Sequence, residues 1–137
     1  YVEESPLPRW FRESPLNAIW EGSGNVIALD LLRAIRREPE ALDHFADEVL
    51  IDASELAAEH LDLAMEMIRT SDHPESDARR IVERLALAWA ASLMSRHTPY
   101  GRLYETGRLR EPHGLFGTLP FTEDLHTIAS QAVPTPL

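Results

Sequence analysis

Apolar residues recur at helical spacing from Asn25 onward, and this pattern predicts a series of amphipathic helices. The first helix begins at Asn25, and its apolar positions cover most of the circumference, so we expect it to be largely buried. Pro39 opens a second helix, and the stretch Asp52-Ala-Ser-Glu55 is typical of a capping box that opens a third. A long helix is predicted over residues 75–97, and its apolar second half places it at the centre of the fold.

Shorter helices are predicted at both ends of the chain. Residues 6–13 form two turns, with Ser5 as the N-cap and a proline at the first helical position. A second short helix covers residues 98–109, and a last one covers residues 121–132 with Thr122 as its cap. No segment shows a convincing strand period, so the predicted fold class is all-α, a bundle-like packing of four or five main helices with short loops.

Composition narrows the class of protein. The chain has 137 residues, of which 44% are apolar and 26% charged, which fits one globular domain with a real core. Its longest apolar run, residues 85–91, is much shorter than the roughly 20 residues of a membrane span. Cysteine is absent, which excludes disulfides, thiolate metal sites and cysteine nucleophiles. These features agree with a cytoplasmic protein.

The charge is acidic and unevenly distributed. All thirteen basic residues are arginine, which excludes a lysine nucleophile or a P-loop lysine, and the net charge is −10. Residues 1–37 are neutral, whereas residues 38–137 carry eight arginines against eighteen acids. Such a field repels phosphate, so binding to nucleic acid is doubtful. The six histidines include only one suggestive pair, His44 and Glu48, and no metal site is predicted.

The loop Trp20-Glu-Gly-Ser-Gly-Asn25 combines several unusual choices directly before the first long helix. Its two glycines allow close approach to the backbone, and Ser23 and Asn25 add hydrogen-bond donors at a helix N-terminus, which suits a phosphate. Apolar neighbours would raise the pKa of Glu21, as a general base requires. The alternative is an ordinary turn in which Ser23 or Asn25 caps the helix and Glu21 offsets its dipole.

Residues 1–9, 11–26 and 29–33, with the motif Trp20-Glu-Gly-Ser-Gly-Asn25, resemble the C-terminal part of acyl-CoA dehydrogenases. Within that family they are similar to the AidB-type branch, the alkylation-response flavoproteins. The helix from Ala78 to Trp89 and the segment Phe116-Gly-Thr-Leu-Pro120 resemble the extra C-terminal helical domain of that branch.

This resemblance implies an FAD-dependent oxidoreductase that acts on an acyl-CoA thioester. Glu21 stands where many family members hold the base that removes the α-proton, while hydride leaves the β-carbon for the flavin. Ser23 and Asn25 match positions that contact FAD. Arg33 matches a position near the CoA ligand, and Trp20 is placed with it on the substrate side.

The resemblance also implies a division of the chain and a missing part. Residues 1–37 correspond to the end of the dehydrogenase helical domain, and residues 38–137 to the additional AidB-like helical domain. The N-terminal helical domain, the β domain and most of the four-helix domain of the family are not in this sequence. We therefore expect this chain alone to be inactive, and the complete enzyme to be a homo-oligomer.

Two other functions remain open from the sequence. An acidic helical bundle with unpartnered apolar faces would serve as an oligomerisation or interaction module without catalysis. A DNA-binding module would use the local arginine cluster Arg79, Arg80 and Arg84, and would bind duplex DNA in a salt-dependent way.

Overall fold

The computed structural model describes residues 4–20, 23–110 and 123–132 of the chain. Over these residues the protein is helical and contains no strand, which confirms the all-α prediction. The helices are α1 (Leu7–Glu13), α2 (Gly24–Arg37), α3 (Pro39–Leu50), α4 (Glu55–Thr70), α5 (Pro74–His97), α6 (Gly101–Glu105) and α7 (Glu123–Ala132). A 3-10 turn, Ser14–Ala18, follows α1, and a π turn, Thr106–Arg110, follows α6. No helix in these three ranges is long and apolar enough to cross a membrane.

The long helices begin close to their predicted positions, but the caps differ in two places. The cap of α4 is Ser54, whose Oγ accepts a hydrogen bond from the Ala57 backbone N–H at 3.2 Å. The predicted capping box from Asp52 is therefore wrong, because Asp52 has a positive φ of 52° and lies in the turn before the helix. At α1 the N-cap is Pro6, one residue after the predicted Ser5. The predicted Thr122 cap of α7 lies outside the described residues.

The centre of the fold is the contact between α4 and α5, the most extensive helix pair in the described chain. Leu61 of α4 and Ile81 of α5 are fully buried there, and small residues let the two helices approach closely. These small residues are Ala57, Ala64, Ala78, Ala88 and Ala91. The central position predicted for the long helix is thus confirmed.

Helix α2 belongs to the same core as the helices that follow it. Its Ala28 and Leu32 are buried in one cluster with residues of α3, α4 and α5. On the other side of α4, Leu109 of the π turn closes a second, smaller cluster with Ala57 and Ala91. The His60 ring nitrogen Nε2 contacts the Leu109 carbonyl oxygen at 3.2 Å and links α4 to that turn.

Gly101, the first residue of α6, has no room for a side chain, and this leads to a stability prediction. A Cβ at this position would lie 2.5 Å from Ser95 Oγ and 2.7 Å from Ser95 Cα. Because the second of these atoms is backbone, the clash is relieved only by moving α6 away from α5. We expect Gly101→Ala to destabilise the chain by about 3 kcal/mol, the upper range for overpacking.

The measurement is urea unfolding of the 137-residue chain followed by far-UV circular dichroism. Gly24→Ala is the matched control, because a Cβ there would have its nearest contact at 3.7 Å, an ordinary van der Waals distance. We expect the control to be neutral or slightly stabilising. Equal midpoints for Gly101→Ala and the native chain would contradict the predicted clash.

Candidate functional site

The residues singled out by the sequence surround the N-terminus of α2. Ser23 has an extended backbone, with φ −70° and ψ 156°, and the helix begins at Gly24. Within the described chain the Ser23 side chain makes no capping hydrogen bond, although its carbonyl oxygen accepts from the Ile27 N–H at 3.1 Å. The N–H groups of residues 24–26 therefore have no partner inside the helix, and they carry the positive end of its dipole.

Arg79 of α5 approaches this helix end from a distant part of the chain. Its Nη1 donates a hydrogen bond to Asn25 Oδ1 at 3.3 Å, across 54 residues of sequence. Its Nη2 lies 3.7 Å from the position that a Cβ at Gly24 would take. The sequence analysis noticed Arg79 only as part of a possible DNA-binding cluster, and no local pattern indicates that it faces the motif.

A groove of about 370 Å³ lies between α2 and α5 beside this contact. Its polar residues are Asn25 from α2 and Glu75, Ser76 and Arg79 from the start of α5. Glu75 Oε1 accepts a hydrogen bond from Arg36 Nη2 at 2.5 Å, and this contact lowers the pKa of the Glu75 carboxyl. The acid of the groove is therefore held ionised and engaged by a second arginine.

The remaining site residues of the sequence analysis are not gathered at this groove. Glu21 and Gly22 lie outside the described residues, and Trp20 is 64% exposed. Arg33 lies about 12 Å along α2 from Asn25. Its guanidinium forms an exposed ion pair with Asp30 of the same helix.

The other candidate polar groups contact partners that were not predicted. Glu48 Oε1 accepts a hydrogen bond from Arg96 Nη1 at 2.9 Å, whereas His44 is exposed. Arg80 pairs with Asp77 at 3.6 Å, so it and Arg79 are engaged separately. In the part of the chain that the structure describes, no group of three histidine or acidic side chains is placed to hold a metal ion.

Large apolar side chains are exposed at the N-terminal end of the described chain. We define the N-terminal apolar surface as the large side chains between residues 7 and 27 whose exposed fractions run from 49% to 70%. They are Leu7, Trp10, Phe11, Leu16, Ile19, Trp20, Val26 and Ile27. A concentration of this kind is typical of a surface that packs against another protein part.

A second exposed apolar feature lies between α2, α3 and α5. It is a groove of about 360 Å³ whose lining residues are all apolar. Phe45 and Trp89 meet in its wall edge to face, with their ring centres 5.6 Å apart. Trp89 is 44% exposed, so the central helix also shows apolar surface to the outside.

Comparison with known proteins supports the resemblance over a limited part of the chain. No protein-family model matches the sequence, and no solved structure matches the fold. Over 43 residues the chain is 54% identical to a putative acyl-CoA dehydrogenase AidB of Escherichia coli (strain K12). That stretch is 31% of this chain and only 8% of the relative. The resemblance is thus confirmed as a partial one: this protein contains a segment similar to an acyl-CoA dehydrogenase of the AidB type.

Proposed function

We propose that this chain is the C-terminal segment of an FAD-dependent, acyl-CoA dehydrogenase-like oxidoreductase and that it works only within a larger catalytic assembly. The observation that carries this proposal is the N-terminal apolar surface, which adjoins the motif loop in sequence and is uncovered here. Residues 28–110 contain a buried core, whereas the large side chains of residues 7–27 remain exposed. In the proposed assembly, residues 1–37 complete the dehydrogenase helical domain and residues 38–137 form an additional helical domain.

The donors around the α2 N-terminus fit the phosphates of FAD. They comprise the free N–H groups of residues 24–26, the Ser23 hydroxyl, the Asn25 carboxamide and the Arg79 guanidinium. All of them donate hydrogen bonds, as phosphoryl oxygens require, and both the helix end and Arg79 are positive. We therefore assign Ser23 and Asn25 to cofactor binding. When bound, FAD supplies the acceptor for the hydride that leaves the β-carbon of the thioester.

Glu21 is the proposed base of the reaction. Its carboxylate accepts the α-proton of the acyl-CoA thioester, which leaves as the C–H bond electrons form the new double bond. The positive end of α2 begins three residues after Glu21 and favours the ionised carboxylate, the form that accepts a proton. Arg33 and Trp20 are proposed on the substrate side, where Arg33 would exchange its partner Asp30 for a phosphate of CoA.

The first test is the denatured mass and flavin content of the endogenous protein. It is isolated from its own cells with an antibody raised against residues 38–110, and then denatured. We expect a polypeptide several times heavier than 15.5 kDa and release of FAD into the supernatant. A polypeptide of 15.5 kDa that carries no flavin and copurifies with no flavoprotein would contradict the proposal.

The second candidate function is an acidic oligomerisation module without catalysis. The apolar groove between α2, α3 and α5 favours it, since this groove and the N-terminal apolar surface offer two uncovered apolar regions on one chain. The same purification separates the two functions. A flavin-free homo-oligomer of 15.5 kDa chains would favour the module.

A further inference from the structure

Arg79 is the one long-range side-chain partner of the motif loop among the described residues. It reaches the loop from α5, inside the additional helical domain, and its Nη1 bonds to Asn25 Oδ1 at 3.3 Å. The loop residues Ser23 and Asn25 are both exposed, so this contact is what restricts the direction of the Asn25 side chain. Because the carboxamide oxygen is engaged, its Nδ2 amide is left to donate elsewhere.

The position of Arg79 is unfavourable unless something negative faces it. A cation is stabilised at the C-terminus of a helix, and Arg79 instead lies beside the N-terminus of α2. The acid of the neighbouring groove, Glu75, is hydrogen-bonded to Arg36. Among the described residues Arg79 has no carboxylate partner within ion-pair distance, so its charge adds to that of the helix end.

We propose that Arg79 is a positioning residue for Asn25: it orients the carboxamide toward the phosphates of the flavin cofactor and makes the loop more positive. This inference rests on the proposed function for its consequence, which is tighter binding of FAD. It also gives the additional helical domain a role, because α5 both packs against α2 and sets the geometry of the loop at its N-terminus.

The orientation of Asn25 is tested on the 137-residue chain without any flavin. In nitrogen-15 NMR spectra, Arg79→Gln is expected to shift the Asn25 side-chain amide and the backbone amides of residues 24–26. Arg80→Gln is the matched control, since it removes the same charge one residue along α5 from a side chain paired with Asp77. Equal spectra of these residues in the two variants would overturn the inference.

The consequence for the cofactor is tested in the complete flavoprotein that carries this chain. Arg79→Gln is expected to weaken FAD binding about tenfold, the value of one hydrogen bond from a charged donor, and Arg80→Gln less than twofold. Combining Arg79→Gln with Asn25→Ala should cost no more than the larger single change, because Arg79 acts through Asn25. Fully additive losses, or equal losses for Arg79→Gln and Arg80→Gln, would overturn it.

Failure of the proposed function has a different signature. If the complete protein with its native sequence binds no FAD, the proposed function is wrong. The NMR comparison still decides whether Arg79 orients Asn25, because it uses no cofactor.

Discussion

Glu21→Gln in the complete flavoprotein is expected to lower the rate of acyl-CoA dehydrogenation on the order of 10³-fold and to leave FAD bound. The glutamine keeps the size and polarity of the side chain but has no carboxylate to accept the α-proton. On the free-energy scale such a loss is about 4 kcal/mol of transition-state stabilisation. The rate is measured anaerobically from the decrease in flavin absorbance after addition of an acyl-CoA, and bound FAD is measured separately.

The matched control is Glu13→Gln. Glu13 belongs to the same N-terminal segment, is exposed, and forms an ion pair with Arg9 of α1 at 3.0 Å. Exposed pairs of this type contribute little to stability, so the control should retain both turnover and FAD. Unchanged turnover in Glu21→Gln would remove Glu21 as the base. Loss of FAD from that variant would point to a binding role.

Ile81→Ala is expected to destabilise the chain by about 4 kcal/mol. Ile81 is fully buried in the α4–α5 contact, where helices meet through small alanine side chains. Neighbouring helices cannot close over the lost side chain, because their backbones are already close, so a cavity adds to the lost burial. Domains of this size are stable by only about 5 to 15 kcal/mol, and the loss is a large part of that total.

Urea unfolding of the 137-residue chain measures this change, and Ile27→Ala is the matched control. Ile27 is also an isoleucine in a helix, but it is 51% exposed on α2. Its replacement should change the free energy of unfolding by less than about 1 kcal/mol, since alanine is also the better helix former. Similar losses in the two variants would show that the described core is wrong.

These two predictions concern parts of the molecule that depend on each other. Ile81 belongs to the core that also buries Ala28 and Leu32 of α2. The N-terminus of α2 carries Ser23 and Asn25, so the packing of the later helices fixes the direction in which the motif helix points. A destabilised α5 should therefore weaken FAD binding in the complete protein without touching the loop.

The sequence alone determined the fold class and the main helices. The predicted helix over residues 75–97 corresponds to α5, Pro74–His97, and the predicted start at Asn25 lies one residue inside α2. These predictions succeed because helical periodicity, prolines at helix starts and arginines in the last turn are local properties of the chain. The resemblance in residues 1–33 was likewise readable locally, and the partial match to an AidB-type relative confirms it.

Capping shows where local patterns become ambiguous. Asp52 and Ser54 are both good N-cap residues, and both stand shortly before the same apolar run. The structure chooses Ser54, and Asp52 instead takes the left-handed conformation, which Asp tolerates better than most residues. The buried Ser92 lies beside the same turn, and its hydroxyl bonds to the Ile51 carbonyl oxygen at 3.3 Å, a contact across 41 residues. The choice of cap thus accompanies a tertiary contact of the turn.

The geometry of the candidate site was decided only by the tertiary structure. The two contacts that join α2 to the start of α5 are Arg79 with Asn25 and Arg36 with Glu75, and they span 54 and 39 residues. No periodicity encodes which arginine of α5 meets the motif, because that depends on the angle at which the two helices cross. The sequence therefore supplied the chemistry of the loop, and helix packing supplied the cation that faces it.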